Sequence, residues 1–393
     1  MKTQVVILGG GISGLCAAYF LKDRFDVILL EASHRVGGWI HTVKKEGMLF
    51  ELGPRGFRPS EKTECLVHEL NLSLLPANEA AKKRFLLRKG KLTPFSPKIL
   101  LAYLPALLVD LFAQPAKEDE SIAQFFTRHF SRKVAEDLID PMCRGVFGGD
   151  ITKLSMESCF PCLWKIDQEF GSILRGMRKK KQPKHKVSLY SFKEGMESLP
   201  RALAHALGKR IHLNTPVTKI EPGLVNGIFP ADVIISALPF PALQNLLPQL
   251  SLHLPWQKIT AVNLGWRNHS LPQRGFGFLA PSKEQQPFLG MTWDSQIFPE
   301  QSSGTRACLM THDEPNKAVE SALKLLRLPS PDIKIVQEAH IPQYPVGHKK
   351  ALDALRKQLP EHFYLLGNSY SGVAVNDCVN AAKSLSDALI ASR

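Results

Sequence analysis

A chain of 393 residues allows two or three domains without fixing the number. With 44% apolar and 22% charged residues, 27 Gly and 28 Pro, it is an ordinary globular protein, not a collagen-like, wholly disordered or disulfide-stapled one. Lys and Arg number 50 against 36 Asp and Glu, and the resulting +14 suits nucleic acid, an anionic membrane or an anionic substrate alike.

Met1-Lys2-Thr3 runs directly into Gln4-Val5-Val6-Ile7-Leu8, so no secretory leader is expected. That β-branched apolar run reads as a buried parallel strand. Glycines follow, and Ile12 to Lys22 carries Ile12, Leu15, Ala18, Tyr19 and Leu21 close to helical spacing. Asp26-Val27-Ile28-Leu29-Leu30 is the second strand, so residues 1 to about 56 begin a βαβ unit.

From Arg84 to Phe112 the character changes. Pro94, Pro97 and Pro105 interrupt the segment, and Ile99 to Val109 is eleven residues without a charge. That is too short to span a bilayer and fits either a helix in the membrane interface or a buried core helix. Residues 117 to 177 read as helices with loops. Arg175 to Lys186 then holds seven Lys or Arg and no acid, a solvated loop or a polybasic contact to anionic lipid.

Strand patterns return at Ile211-His212-Leu213, Val217-Thr218-Lys219-Ile220 and Ala231 to Ser236. Residues 256 to 345 alternate short apolar runs with Gly and Pro turns, as an antiparallel sheet does. The tail is strand, glycine-containing loop and helix: Phe363 to Leu366, then Val379 to Arg393. Seven irregularly spaced Cys argue for reduced thiols in an intracellular compartment, and no run of 18 apolar residues marks a spanning helix.

Gly9-Gly10-Gly11-Ile12-Ser13-Gly14 satisfies G-x-G-x-x-G through Gly9, Gly11 and Gly14, after a strand and at the start of a helix. Gly9 permits the tight turn, Gly11 lets the backbone approach a pyrophosphate, and Gly14 allows close helix–strand packing. The phosphate charge then rests on the helix N-terminus. Glu31 ends the second strand, 22 residues after Gly9, where a carboxylate binds both hydroxyls of an unphosphorylated ribose. Together these predict an adenine dinucleotide and disfavour NADP.

Glu31 is followed by Ala32 to Trp39, in which Arg35, Gly37 and Gly38 exceed what a bare NAD domain needs. Here the chain resembles the flavin oxidoreductases that include amine oxidases and phytoene desaturases. In them E-x-x-x-R-x-G-G wraps the FAD pyrophosphate and approaches the flavin. The resemblance narrows along the chain. Phe50 to Pro59, Cys143 to Gly149 and Gly372 to Cys378 resemble F-E-L-G-P-R-G-x-R-P, C-R-G-V-F-x-G and G-V-A-V-N-D-C of the protoporphyrinogen oxidase family. Ile341-Pro342-Gln343-Tyr344 and Gly275 to Leu279 also fit, and all keep their order from end to end.

The resemblance implies an α/β fold in three parts. A discontinuous Rossmann-like FAD-binding domain takes 1–80, 185–235 and 361–393. An antiparallel-sheet substrate domain takes 81–95 and 236–360, and an α-helical membrane-binding domain takes 96–184. The implied reaction is the FAD-dependent six-electron oxidation of protoporphyrinogen IX to protoporphyrin IX in haem synthesis, with oxygen as acceptor and hydrogen peroxide released. Cofactor contacts are implied at Gly9, Gly10, Gly11, Ile12, Ser13, Gly14, Glu31, Arg35, Gly38, Trp39, Gly53, Pro54, Arg55, Gly56, Val217, Asn368, Val373, Ala374 and Val375.

Substrate contacts are implied at Arg84, whose guanidinium holds a propionate bidentately as Lys82 and Lys83 cannot. Leu279 and Met310 lie by resemblance on the two sides of the macrocycle, with Gly145 near the reacting methylene. No side-chain acid, base or metal is expected to carry the chemistry, because hydride transfer to FAD needs orientation above all. The implied partners are a porphyrinogen, molecular oxygen and an anionic membrane surface, with the chain peripheral on the cytoplasmic side. A homodimer is left open and nucleic acid is not expected.

The chain is shorter than that family, with apparent trims near 178–186 and between Val217 and Ile234. Thr311-His312-Asp313-Glu314 departs from the family's glycine pair after Met310. Cys159-Phe160-Pro161-Cys162 has redox-motif spacing but no thioredoxin-like start, and reads as structural. Three rivals stay open: oxidation of coproporphyrinogen III, whose four propionates need more cations, a quinone acceptor, and a flavoprotein without activity.

Overall fold

The structure, a computed structural model, describes residues 2–392 except 97, 98, 100, 102 and 180–188. The chain begins with β1 (Gln4–Leu8), α1 (Ile12–Leu21), β2 (Asp26–Leu30) and α2 (Glu61–Glu69). A hairpin of β3 (Phe85–Arg88) and β4 (Lys91–Pro94) leads into a helical stretch that includes α3 (Leu104–Asp110), α4 (Ile122–His129), α5 (Asp140–Phe147), α6 (Pro161–Phe170) and α7 (Ile173–Lys179). Next come β5 (Ile211–His212), β6 (Val233–Ser236), β7 (Trp256–Trp266), β8 (Gly277–Leu279), β9 (Gly290–Thr292) and β10 (Thr305–Thr311). The chain ends with α8 (Pro315–Leu326), β11 (Ile333–Pro342), β12 (Phe363–Leu365) and α9 (Val375–Ala391).

These elements form two compact units. Met1–Pro76, Val187–His253 and Ala351–Arg393 make the first, and Ala77–Lys186 with Leu254–Lys350 make the second. The helices α3 to α7 belong to the second unit, together with its sheet.

In the first unit a parallel sheet has the order β12-β6-β1-β2-β5. Its central strand β1 is covered on both faces, which is why Val5 to Leu8 are an unbroken apolar run, fully buried. Helix α1 is apolar nearly all round because it packs on the strands and on α9 together. The chain leaves β1 toward β2 on one side and returns as β6 on the other. That reversal opens a crevice at the C-terminal end of β1, where Gly9 to Gly14 lie.

In the second unit a seven-stranded sheet has the order β11-β7-β10-β9-β8-β3-β4, antiparallel except for the parallel pair β3 and β8. One face carries Phe85, Phe278, Met291, Leu309, Val262 and Leu264 and is packed by Ala318, Val319, Ala322 and Leu326 of α8. Side chains alternate across a strand, so Leu86, Leu279, Gly290 and Met310 lie on the opposite face.

Two segments differ from the expected strands. Helix α8 interrupts the range read as all sheet: Pro315 starts it, and Glu314 caps it by accepting the N–H groups of Asn316 and Lys317 at 2.9 and 2.7 Å. Of the expected Val217-to-Ile220 strand only Ile220 enters a ladder, in the short strand Ile220–Glu221. The Asn226 side chain takes the Thr218 N–H at 2.8 Å and donates to the Pro216 carbonyl at 2.9 Å, which holds the rest as a loop.

The charge-free run around Ile99 to Val109 has two characters. Ile99 and Tyr103 are buried, whereas Leu101, Leu104, Leu108, Val109, Leu111 and Phe112 are exposed; Leu100 and Ala102 lie outside the described residues. Its end is pinned by Asp110, which is fully buried and accepts from Ser172 Oγ, the Ile173 and Leu174 N–H groups and His129 Nδ1 at 2.7, 3.0, 2.8 and 2.5 Å. The other ring nitrogen of His129 lies 3.0 Å from Asp167. Residues 180–186 of the basic run lie outside the described residues.

Candidate functional site

The first unit builds a cradle from the end of β1. Gly9 turns at φ +99°, a conformation that strains any other residue, and its N–H donates to the Leu30 carbonyl at 2.8 Å. A Cβ on Gly14 would lie 2.0 Å from the Gly9 carbonyl oxygen, but one on Gly11 would meet nothing within 4 Å. Packing therefore demands glycine at 14, while at 11 only something arriving from outside would need the space. No side chain caps α1, so the N–H groups of Ile12, Ser13 and Gly14 are left for an anion.

Glu31 is oriented by three donors: the Gly10 N–H at 2.7 Å, the Ser33 N–H at 2.8 Å and the Ser33 hydroxyl at 2.7 Å. A ribose hydroxyl can complete the carboxylate's remaining acceptor position. The open space over Gly11 and the fixed Glu31 together fit the diphosphate and ribose of an adenine dinucleotide.

The loop after β2 lies against this turn. Gly37 donates to the Gly10 carbonyl at 2.8 Å, and a Cβ on Gly38 would come 3.3 Å from the Gly11 Cα. Arg35 spends its guanidinium on its own loop, donating to the carbonyls of Val36, Gly38 and Ile40 at 3.0, 2.7 and 3.2 Å. Trp39 is exposed, and a Cβ on Gly53 would lie 1.8 Å from its carbonyl oxygen, so Gly53 to Gly56 start from the same place. Arg55 donates to the Gly53 carbonyl at 3.3 Å, and Pro54 and Gly56 are half-buried.

Val217 follows Thr215, whose N–H donates to the Glu31 carbonyl at 2.8 Å. Asn368 is half-buried in the loop after β12. Val373 is half-buried, Ala374 exposed and Val375 buried where α9 begins, after Gly372 at φ +111°. In that first turn Cys378 donates to the Gly372 carbonyl at 3.9 Å, and α9 packs along α1, which the glycine turn opens. Burial pushes the Asp377 carboxyl up from its ordinary value, against the N–H of Ala374 that it accepts at 3.3 Å.

The second unit carries all four of the other candidates. The register aligns Leu86, Leu279, Gly290 and Met310 across four neighbouring strands on the face that α8 leaves uncovered. Leu279 and Met310 therefore flank a strip with no side chain, two strand spacings or about 10 Å apart. The tip of Leu279 leans over it, since a Cβ on Gly290 would lie 3.1 Å from Leu279 Cδ2. Gly145 of α5 meets the same methyl. The motif around it closes the helix: Gly148 takes φ +60° and donates to the Arg144 carbonyl at 3.0 Å, and a Cβ there would strike Ile259 Cδ1 at 1.9 Å.

Arg84 is exposed just before β3, with its guanidinium carbon 5.2 Å from the centre of the Phe276 ring. It precedes Leu86 by two residues, so it falls on the same face, beside side-chain-free Gly277. Leu86 and Gly290 were not singled out in the sequence, and only strand pairing would have found them. Cys159 is half-buried and its thiol is pushed up to about 12, by burial first and then by Asp119, while Cys162 is exposed; among the described residues no cysteine is in a disulfide.

Residues 12–320 match the family model of flavin containing amine oxidoreductases. The chain is 34% identical to the protoporphyrinogen oxidase of Bos taurus over 467 aligned positions, which take in 98% of this chain and 97% of that one. It is 29% identical to the coproporphyrinogen III oxidase of Bacillus subtilis over 462 positions, covering 99% and 98%. Both alignments are longer than the 393 residues present, so this chain is the trimmed partner. In fold it is similar over the whole of both chains to a crystal structure from Exiguobacterium sp. 255-15, at 23% identity and a TM-score of 0.84.

Proposed function

Because the chain belongs to the flavin-containing amine oxidoreductases, we propose that it oxidises protoporphyrinogen IX to protoporphyrin IX with FAD as its cofactor and oxygen as the acceptor. The observation that carries this is agreement along almost the whole chain: 34% identity to the bovine enzyme, against 29% to the bacterial coproporphyrinogen III oxidase. When bound, FAD accepts two electrons at a time from the porphyrinogen and passes them to oxygen, releasing hydrogen peroxide.

The residues of the chain supply binding and orientation. The N–H groups of Ile12 to Gly14 take the diphosphate and Glu31 takes the adenosine ribose. Arg84 holds a propionate, Leu279 and Met310 flank the macrocycle, and glycine at 145 leaves room for the methylene that gives up its hydrogen. Fixing the macrocycle removes orientational freedom before the transfer. No side chain has to move a proton at this stage.

Peripheral membrane attachment is supported by the apolar surface of α3 and its flanks, where Leu108 is 62% and Phe112 82% exposed. Arg175, Arg178 and Lys179 of α7 are tied to it through Asp110 and through Arg175, which donates to the Leu111 carbonyl at 3.1 Å. Among the described residues no helix is long and apolar enough to cross a membrane. Flotation with anionic liposomes tests this: wild type should rise with the vesicles and Leu108→Asp should stay below.

Porphyrin fluorescence under air, with protoporphyrinogen IX and coproporphyrinogen III in parallel, tests the reaction. Faster development with the first supports the proposal, and preference for the second overturns the substrate. Cofactor reduction by substrate without reoxidation in air would replace oxygen by a quinone.

A further inference from the structure

We infer that Asn376 is a positioning residue that sets the spacing of two loops, Gly53 to Pro59 and Gly372 to Val375. The inference rests on the FAD reading above, in which both loops hold the cofactor.

The first loop runs into α2 through its cap, Ser60, whose hydroxyl accepts the Thr63 N–H at 3.4 Å. The second runs into α9. The two helix starts are joined by a polar seam and not by apolar contact alone. Asn376 Oδ1 accepts both the Ser60 N–H at 2.9 Å and the Thr63 hydroxyl at 2.6 Å. One turn on, Asn380 Oδ1 accepts the Ser60 hydroxyl at 2.8 Å, and two turns on, Ser384 accepts from Lys62 at 3.1 Å. Asn376, Asn380 and Ser384 recur every four residues, so they form one stripe of α9.

Position along that stripe decides what each contact does. Asn376 directly follows Val375, and Ser60 directly follows Pro59, so their bond joins the residues that immediately follow the two loops. Thr63 is fully buried, and its hydroxyl and the Ser60 amide both rely on one oxygen. Two donors occupy the two lone pairs of that carbonyl, so it holds the loops and is not left to contact a ligand. Asn380 bonds the Ser60 hydroxyl and not its backbone, and sits a turn beyond the second loop.

The full-length protein, freed of flavin and titrated with FAD, tests this by flavin fluorescence, the visible absorption bands and thermal melting. Asn376→Ala should bind FAD about tenfold more weakly, as expected for losing two hydrogen bonds at a half-buried site. Its flavin bands should also shift. Asn376→Asp keeps the accepting oxygen and should stay within about threefold of wild type on the same reasoning. Thr63→Val, which removes one donor and keeps the shape, should weaken FAD in the same direction as Asn376→Ala. Asn380→Ala should lower the melting temperature yet leave FAD affinity and spectrum unchanged.

Wild-type affinity and spectrum in both Asn376→Ala and Thr63→Val would overturn the inference. So would Asn376→Asp as weak as alanine, or Asn380→Ala with the same loss. A wild-type chain that takes up no FAD would instead overturn the cofactor reading and this inference with it.

Discussion

The Cδ2 methyl of Leu279 occupies the space in which a side chain at Gly145 would have to sit, for a Cβ there would come within 2.6 Å of it. The obstacle is the end of a flexible side chain and not backbone. Gly145→Ala should therefore fold, with Leu279 displaced over Gly290 into the strip beside Met310. We expect kcat/KM for the porphyrinogen to fall by about tenfold or more, while the melting temperature changes by only a few degrees. Adding Leu279→Ala should recover part of the loss, giving a non-additive double-mutant cycle. Additive losses would mean that the two residues do not share a site.

Gly11 and Gly14 should separate cofactor binding from folding. Alanine at 14 would drive its Cβ to 2.0 Å from the Gly9 oxygen, a backbone clash, so Gly14→Ala should unfold at markedly lower temperature. Alanine at 11 meets nothing within 4 Å, so Gly11→Ala should melt like the apo wild type yet fail to retain FAD. Melting curves with and without added FAD check both outcomes.

Arg84 tests substrate anchoring. It is exposed, so Arg84→Gln should change stability by no more than about 0.5 kcal/mol. Loss of a charge-assisted carboxylate contact should raise KM by roughly tenfold, and Arg84→Lys should fall between, since an ammonium cannot pair bidentately. Steady-state kinetics on one porphyrinogen with the three proteins is sufficient, and an unchanged KM in Arg84→Gln would remove the anchor.

Acid should weaken the second unit through Asp167. Burial alone would raise this carboxyl, but hydrogen bonds from His129, Arg128 and the Ala116 N–H outweigh it and hold it at about 2, below the ordinary 3.8. A depressed folded value means that the stabilisation is complete above the unfolded value and is lost as pH falls through the folded one. Asp110 is shifted in the same direction. The melting temperature should therefore drop between about pH 4 and pH 2, more steeply in wild type than in Asp167→Asn. That variant should already be destabilised at neutral pH by about 3–5 kcal/mol, because it leaves His129 and Arg128 facing a broken network.

The glycine turn, Glu31 and the strands on either side could be recognised in the sequence because every constraint there acts within a few tens of residues. Steric demands at Gly9 and Gly14 and the reach of one carboxylate leave a local pattern. The seven-stranded sheet was legible only in part. Its alternation was visible from 256 onward, but α8 was hidden inside it, and Val217 looked like strand until Asn226 held its neighbours away from a ladder.

By itself, then, the sequence determined a dinucleotide fold and its glycine turn, since backbone sterics and periodicity are written among near neighbours, while the family came from the resemblance of longer motifs. Only the tertiary structure decided that Arg35 turns its guanidinium onto its own loop and that His129 stands between Asp110 and Asp167. It also decided that Leu86 and Gly290 share a row with Leu279 and Met310. Those facts depend on the register of strands about 190 residues apart and on which charges are buried together, and both follow from long-range packing that no local pattern records.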